Sequence, residues 1–412
     1  PQAGIDLLKK ADVPYFHPYF MSRRRIKEWE ESIQGCSTSE MMISVMLPEL
    51  DGCIETYPVG AMTEPRYDME FDIRTDELVI IEERVDKLIS RIRSYINLRK
   101  KENKDKRIAI ICYNYPPGES NIFGGAFLDT FSSVENILKN LKDKGYKVNP
   151  LTKEELMGIF TAGGIVNSGK YSDSWEKMIK YPDKKYREEL KKSSDYEDII
   201  KEWGPSPGSI MVNDNNEFLI PGIIEGNIFI GLQPTRGVHE EIEKVYHDKT
   251  LPPHHQYSGF YKWIKDEFKA DAIIHVGTHG TLEFLKGKEC GMSGNCYPDK
   301  LLSDIPHIYL YYCGNPSEST IAKRRSYANI ISYQPPVFVQ GELYGEFAGL
   351  ISMIDNYHQS LSLAPQSSDD ILSSIWELAE KLNMPKNLDN IEGELYRMKK
   401  SLIPKGLHIF GK

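Results

Sequence analysis

The sequence predicts a multidomain α/β protein, in which Rossmann-like, mainly parallel sheets are flanked by helices and a helical segment follows toward the C-terminus. Three observations support this fold class. With 412 residues, the chain is too long for one compact core. Apolar strand-like runs alternate with helical patterns through its middle, as in parallel sheets built from βαβ units. Apolar residues recur at helical spacing from 346 to 412, so that segment is expected to be mostly helical.

Residues 1–100 are expected to form an N-terminal α/β segment. The stretch HPYFMSRRRIKEWEES (17–32) looks helical at its end, and EMMISVMLPELDG (40–52) predicts a short apolar strand closed by a turn. The spacing of apolar residues then predicts a helix from about Glu77 to Leu98. The charge run RKKENKDKR (99–107) contains no apolar residue, so we interpret it as a solvated linker and place a domain boundary there.

A core α/β domain is expected over 101–345. It begins with KRIAIICYNY (106–115), which reads as a buried strand, followed by a loop and by TFSSVENILKNLKDKGYKV (130–148). The latter predicts a helix that ends at Gly145 and leads into another strand, which completes a βαβ unit. Residues 150–220 are polar and rich in Lys, Tyr, Ser and Gly, so we interpret them as an insertion or helical cover.

The α/β pattern resumes beyond this region. Strands are predicted at NIFIG (227–231), ADAIIHVG (270–277) and IPHIYLYYCG (305–314). HHQYSGFYKWIKDEFKA (254–270) predicts a helix between the first two, and ESTIAKRRSYANII (318–331) predicts a helix that runs into a further strand.

Composition excludes several classes of protein. Lys and Arg total 51 against 60 Asp and Glu, and the net charge of −9 argues against a nucleic-acid partner. The longest apolar stretches are far shorter than a bilayer span, and no signal peptide is visible. Six cysteines without a CxxC pair indicate reduced thiols in a cytoplasmic protein. Because the chain begins with Pro1, we expect an internal piece of a longer polypeptide.

A nucleotide site is not expected. GIVNSGKY (164–171) nearly matches a phosphate-binding loop, but Tyr171 stands where Ser or Thr must hold magnesium. The preceding LTKEELMGIF (151–160) reads as a helix, whereas such a loop follows a strand. No GxGxxG follows the first strand of the core domain either. We therefore expect that the chain itself does not bind or hydrolyse ATP.

The closest spacing of candidate catalytic and metal-binding side chains is found in HVGTHGTLEF (275–284). His275 closes an apolar strand, and His279 and Glu283 share a face if a helix begins after the glycine turn. Ligands of open α/β sheets bind at the carboxyl ends of strands. Two imidazoles and a carboxylate suit a borderline divalent metal, and the carboxylate also accepts protons. The alternative is a core histidine beside a solvated helix charge, and spacing alone leaves both readings open.

Polar groups also follow two neighbouring predicted strands. Gln233 and Arg236 come after one of them and are expected to face the same crevice. The helix predicted after the other strand carries three basic residues in one turn, Lys323, Arg324 and Arg325. Arginines of this kind pair carboxylates through two hydrogen bonds. The alternative is a solvated helix face.

Six segments in this order resemble the large subunit of ATP-dependent tetrapyrrole metal chelatases. The members of that family are the CobN subunit of cobaltochelatase and the H subunit of magnesium chelatase. Together the segments cover nearly the whole chain. They are PELDG (48–52), YNYPPGESNIFGGAFLD (113–129), FIGLQPTRG (229–237), YHDKTLPPHHQYSGFYKWI (246–264), HVGTHGTLEFLKGKECGMSGNCYPD (275–299) and NPSESTIAKRRSYANIISY (315–333).

The resemblance implies a subunit that binds a tetrapyrrole and inserts a divalent metal, Co²⁺ or Mg²⁺, as its substrate. ATP would be consumed by separate AAA+ partner subunits. We favour cobalt and a cobalamin-type pathway, because the QPTRG and PPG segments resemble the cobalt branch. Other segments resemble the magnesium branch, so a magnesium chelatase H-type subunit remains open, as does a non-catalytic tetrapyrrole carrier or sensor.

The resemblance also implies roles for single residues. His275 and His279 would hold the partly dehydrated ion, while Glu283 would take a proton or complete the ligand set. Arginines would pair with the carboxylates of the ring. The residues expected to bind the tetrapyrrole are Asn114, Tyr115, Gln233, Arg236, Lys323, Arg324 and Arg325.

Overall fold

The computed structural model of the chain divides into two compact units. One comprises Pro1–Tyr333 with Ile409–Lys412, and the other comprises Gln334–His408. The domain boundaries expected near residues 100 and 345 stay predictions. The structure describes residues 2–114, 122–162, 164–167, 175–236, 250–336, 345–363, 368–382, 384–401 and 406–411. Tyr115 lies outside these ranges, as do residues 168–171 of the segment that nearly matches a phosphate-binding loop.

The N-terminal part of the first unit is a three-stranded sheet with helices and a small two-stranded hairpin. Its sheet has the order β1-β2-β5, with β1 and β2 parallel, and β3 pairs with β4. The strands are β1 (Phe16–Arg25), β2 (Glu55–Met62), β3 (Arg66–Asp68), β4 (Ile73–Thr75) and β5 (Leu78–Ile80). The helices are α1 (Gln2–Ala11), α2 (Ile26–Glu31), α3 (Thr38–Glu40), α4 (Leu47–Leu50), joined to α3 by a π-helical turn, and α5 (Glu82–Lys100).

The rest of the first unit is built on a six-stranded sheet, and the expected mainly parallel α/β fold is confirmed. The strand order is β13-β12-β11-β6-β10-β9, and every pair is parallel except β9 with β10. These strands are β6 (Ile108–Cys112), β9 (Gly222–Glu225), β10 (Ile228–Leu232), β11 (Ala272–Val276), β12 (His307–Tyr312) and β13 (Ala328–Tyr333). Strands β6 and β10 are buried along their whole length, as parallel strands covered on both faces require.

Helices and a small two-stranded sheet surround this sheet. The chain leaves β6, returns as β10 on one side of it, and then crosses to β11 on the other side. This reversal brings the ends of β6, β10 and β11 to one crevice, where open α/β sheets bind ligands. The surrounding elements are α6 (Thr130–Asp143), α7 (Lys153–Met157), β7 (Ile179–Pro182), α8 (Lys184–Leu190), α9 (Tyr196–Trp203), β8 (Glu217–Ile220), α10 (His255–Asp266), α11 (Tyr297–Leu302) and α12 (Pro316–Ser326).

Four local predictions were wrong. The helix expected from about Glu77 begins at Glu82, because Leu78–Ile80 pair with β2 as β5. The strand expected in 40–52 is helical, because Ser37 and Glu40 form a reciprocal capping box that starts a helix there. The strand expected directly after Gly145 is a loop in the described residues, and the Lys147 carbonyl of this loop accepts a hydrogen bond from the backbone amide of Asn227. The helix expected after Gly280 is a single 3₁₀ turn, Leu282–Phe284.

The second unit is a small helical cluster, which confirms the expected helical C-terminal segment. Buried apolar residues on its three helices form one core that includes Leu350, Ile375 and Ile391. The helices are α13 (Glu346–Leu363), α14 (Ser368–Lys381) and α15 (Leu388–Ser401). Across the described ranges, every helix is too short or too polar to cross a membrane.

Backbone pairing fastens the N-terminal part to the loop before α11. Gly35 pairs with Cys290 in a short parallel β-bridge, and the amide of Cys290 donates to the Gln34 carbonyl at 3.1 Å. The Trp29 indole donates to the carbonyl of the next residue, Gly291, at 2.8 Å. Gly35 has a φ of +78°, and a Cβ built there would lie 1.8 Å from the Cys290 carbonyl oxygen.

Gly35→Ala is therefore expected to destabilise the chain strongly. Gly52→Ala is the matched control, because Gly52 also has a positive φ of +92° but no described atom lies within 4 Å of its Cβ position. Overpacking should make the Gly35 variant about 1–3 kcal/mol less stable than the control. Urea denaturation measures the difference in the free energy of unfolding. Equal stabilities would show that the backbone at the β-bridge between Gly35 and Cys290 accommodates the methyl group without loss of stability.

Candidate functional site

The segment after β11 forms a tight loop at the carboxyl edge of the sheet. The chain turns at Gly277, whose φ is +104°, and the Thr278 hydroxyl accepts a hydrogen bond from the amide of Tyr312 at 2.8 Å. The loop then folds back through Thr281 into the 3₁₀ turn that carries Glu283. Two of the predicted residues, His279 and Glu283, are thus placed beside each other on one short loop.

Glu283 is a fully buried carboxyl at this edge. Within the described part of the chain, neither of its oxygens makes a hydrogen bond of good geometry, although the Tyr309 hydroxyl is near enough to lower the pKa of Glu283. Burial raises the pKa of Glu283, and the neighbouring His279 offsets part of that rise. A buried carboxyl is normally paired, since leaving it unpaired costs free energy. Glu283 is therefore an acceptor that a proton or a cation would satisfy.

His279 is buried beside Glu283 and faces a second carboxylate. Its Nδ1 lies 3.0 Å from the Gly280 carbonyl, which only accepts, so Nδ1 carries the proton of the neutral ring. Its Nε2 lies 3.4 Å from Oε2 of Glu318. The ring also packs against Phe284, with 5.1 Å between ring centroids. A proton at this point would be shared between the imidazole and the Glu318 carboxylate.

Glu318 is a site residue that the sequence reasoning missed. It lies in the first turn of α12, where Asn315 caps the helix and its side-chain amide donates to the Glu318 carboxylate. The Tyr311 hydroxyl lies 3.5 Å from the same carboxylate oxygen. The signal was present in the sequence, because an acidic residue at the start of a helix that follows a strand must lie at the ligand-binding edge.

His275 lies behind this loop instead of facing the crevice. Its Nδ1 is 2.8 Å from Nε2 of His307, and its Nε2 is 3.2 Å from the Tyr261 hydroxyl. Both nitrogens are therefore engaged, and burial lowers the pKa of His275 well below its ordinary value. Among the described residues, no group of three or more His, Cys, Asp or Glu side chains is arranged to hold a metal ion.

Both ends of the Gln233 side-chain amide are also engaged. Its Nε2 donates to the Tyr261 hydroxyl at 2.7 Å, and its Oε1 accepts from the backbone amide of Thr281 at 2.7 Å. Arg236 is buried near the same strand end. Asn114, two residues after the end of β6, is buried, and its Oδ1 has no hydrogen-bond partner in the described ranges. Its role in substrate binding stays a prediction.

The three basic residues of α12 hold neighbouring segments. Lys323 donates to the Cys53 carbonyl at 2.8 Å, and Arg325 donates to the Leu285 carbonyl at 2.6 Å. Arg324 makes two hydrogen bonds, of 3.3 and 2.8 Å, to the Glu49 carboxylate. Of the three, Arg324 already binds a carboxylate in the geometry that a carboxylated ligand would need.

Comparison with known proteins gives matches over nearly the whole chain. A family model described as CobN/Magnesium Chelatase matches residues 1–412. An uncharacterized protein of Methanocaldococcus jannaschii is 39% identical over 86% of this chain and 29% of its own length. The chloroplastic magnesium-chelatase subunit ChlH of Oryza sativa subsp. indica is 34% identical over 99% of this chain and 30% of its own length.

A solved structure is similar as well. The catalytic subunit of cobaltochelatase from Mycobacterium tuberculosis superposes with a TM-score of 0.71 and is 27% identical, over 98% of this chain and 35% of its own. The chain thus spans about a third of the length of the relatives that it matches.

Proposed function

The chain belongs to the CobN/magnesium chelatase family, and from this premise we propose that it carries the insertion site of a tetrapyrrole metal chelatase. The metal is a substrate, which the protein transfers into the ring with ATP hydrolysed by separate AAA+ partner subunits. Those partners and the cytoplasmic location expected from the sequence stay predictions. The observation that supports the proposal most directly is the fully buried carboxyl of Glu283, which lies beside His279 and whose pKa is raised by burial.

Insertion needs groups that accept protons and hold a cation. A divalent ion loses coordinated water and replaces two pyrrole protons, so two protons must leave for each metal that enters. Burial shifts the pKa of Glu283 upward, toward the pH at which a general base works best. His279 and Glu318 together provide a second acceptor, since Nε2 and Oε2 are 3.4 Å apart. We assign proton removal to these three groups.

The same groups bear on the choice of metal. Imidazole nitrogen is a ligand that suits borderline transition ions, whereas Mg²⁺ prefers oxygen ligands alone. The imidazole of His279 therefore supports Co²⁺ over Mg²⁺ as the substrate, in a cobalamin-type pathway. The names of the relatives include both magnesium and cobalt enzymes.

Binding of the ring is assigned to carboxylate recognition. Arg324 is 16% exposed, and its partner Glu49 is 15% exposed, so a carboxylate of the ring can replace Glu49 at the guanidinium. Lys323 and Arg325 are held by backbone carbonyls and act through the segments that they fix.

His279→Ala is expected to lower insertion by about a hundredfold or more, as for loss of a general acid–base group. The assay combines the full-length protein, its AAA+ partners, ATP and a metal-free tetrapyrrole with Co²⁺ or Mg²⁺, and follows the absorbance of the metallated ring. His358→Ala is the control, because His358 is an exposed histidine paired with Glu392 in the second unit.

Different outcomes separate the candidate functions. Insertion of Co²⁺ in preference to Mg²⁺ supports the cobalt assignment, and the reverse preference supports a magnesium chelatase H-type subunit. Saturable binding of the ring without insertion of either ion would indicate a carrier or sensor. Absence of both binding and insertion would rule out the proposal.

A further inference from the structure

We propose that Tyr261 and Gln233 are positioning residues that fix the loop of His279 and Glu283 through a one-directional hydrogen-bond chain across the sheet. The inference deepens the proposed function, on which its kinetic arm rests. The chain of hydrogen bonds runs from the loop, through α10 and β11, to the end of α12.

One carbonyl group, that of Ser326, decides which atom donates in each hydrogen bond between the end of α12 and Tyr261. Nδ1 of His307 is 2.8 Å from the Ser326 carbonyl, which only accepts, so this nitrogen carries the proton. Burial lowers the pKa of His307 to about 4 and that of His275 well below its ordinary value, so both rings are neutral at pH 7. Nε2 of His307 must then accept from Nδ1 of His275, and Nε2 of His275 must accept from the hydroxyl of Tyr261.

The hydrogen bonds between Tyr261 and the loop of His279 and Glu283 continue in the same direction. With its proton committed to His275, the Tyr261 oxygen accepts from the Gln233 amide nitrogen, and Oε1 of Gln233 accepts from the Thr281 amide. The Thr281 hydroxyl also lies 3.1 Å from Oε1 and 2.9 Å from the Tyr257 hydroxyl. From the Thr281 amide to the Ser326 carbonyl, each bond of the chain thus has one direction.

Close packing transmits this arrangement to the loop backbone. A Cβ built on Gly280 would lie 2.8 Å from Oε1 of Gln233 and 3.0 Å from the Tyr309 hydroxyl, so the loop has no room to shift toward the chain. Removing the Tyr261 hydroxyl leaves a buried acceptor on His275 and a buried donor on Gln233 without partners. The Gln233 amide is then free to rotate, and Thr281 loses its fixed acceptor.

Tyr261→Phe tests the inference. The matched control is Tyr181→Phe, since Tyr181 is equally buried and its hydroxyl has no hydrogen-bond partner among the described residues. In Tyr261→Phe we expect amide exchange at Thr281 to rise by about tenfold or more and kcat for insertion to fall by about tenfold or more. KM for the tetrapyrrole should stay within about twofold. Tyr181→Phe should change none of these.

A spectroscopic readout is independent of activity. Nitrogen-15 spectra of the histidine rings should show His275 and His307 as Nδ1–H tautomers in the wild type and a changed His275 signal in Tyr261→Phe. Gln233→Met, which removes the amide without removing its volume, should raise Thr281 exchange in the same way. If exchange and the His275 signal match the Tyr181→Phe control, the positioning role is wrong even where insertion is intact. If insertion is absent in the wild type, the proposed function fails while exchange and tautomers still test the chain.

Discussion

Glu283→Gln is expected to abolish metal insertion by the complete complex and, at the same time, to make the chain more stable at neutral pH. Glutamine fills the same volume but neither takes up a proton nor carries charge, so it removes the acceptor that the proposed reaction needs. The wild-type carboxyl is fully buried, and in the described part of the chain neither of its oxygens makes a hydrogen bond of good geometry. Function and stability should therefore move in opposite directions at this residue.

The stability effect has a defined pH dependence. The unfolded chain releases the Glu283 proton near its ordinary pKa, whereas the folded chain keeps it to higher pH because burial raises the pKa. Between the two pKa values the folded state binds more protons, so the wild type loses stability as pH rises. Glutamine does not titrate, so the advantage of the variant should grow above about pH 5 and reach about 1–2 kcal/mol.

Urea denaturation at about pH 5 and about pH 8 measures this difference. Glu70→Gln is the control, because Glu70 is exposed on the hairpin of the N-terminal part. Insertion is assayed on the same variants with the AAA+ partners and ATP. Parallel pH profiles for Glu283→Gln and the wild type would contradict the buried-acid interpretation, and retained insertion would contradict its proposed catalytic role.

Arg91→Leu should have the largest effect on stability. Arg91 is fully buried in α5 and makes two hydrogen bonds, of 2.7 and 2.6 Å, to the Glu55 carboxylate of β2. It also donates to the carbonyls of Ser303 and Ile305, at 3.2 and 3.0 Å. Removing one partner of a buried ion pair leaves the other charge uncompensated, which costs about 3–5 kcal/mol.

The control for this variant lies two residues further along the same helix. Arg93 is exposed, so Arg93→Leu changes the same side chain without opening a buried pair. Denaturation midpoints of both variants measure the difference. Limited proteolysis should also cut the N-terminal part of Arg91→Leu faster, since that part would be held less firmly. Equal midpoints for the two variants would mean that the Glu55 charge finds another partner.

Much of the fold could be predicted because it depends on local pattern. The apolar runs at β6, β10, β11 and β12 are long and bounded by polar residues, so their strands and parallel arrangement followed directly. The stretch at 40–52 misled because it is also apolar, yet its start is decided by two polar side chains, Ser37 and Glu40. Apolar character alone does not distinguish a short strand from a helix.

The site could be predicted only in part. The loop of His279 and Glu283 was placed at the sheet edge by its position after an apolar strand. Whether a polar side chain faces a ligand or another residue depends on partners far away in sequence, and that information is absent from local spacing. His275 is turned inward by His307, and Gln233 is occupied by Tyr261 and Thr281. Such pairings are visible only once the strands are in register.

The fastening of the N-terminal part has a consequence for biosynthesis. Arg91 donates to the carbonyl of Ile305, which lies 214 residues later in the chain. At roughly 5–20 residues per second, a ribosome needs about 10–40 s to make that stretch. During this time Arg91, Trp29 and Gly35 lack the segments on either side of α11 that they contact in the finished protein, and the side chains of Met42, Ile43 and Leu50 are exposed before and after folding. The nascent chain therefore exposes an apolar surface for many seconds before the segments that cover it are made. Lower temperature or a chaperone, which would reduce association between nascent chains, should raise the yield of folded protein.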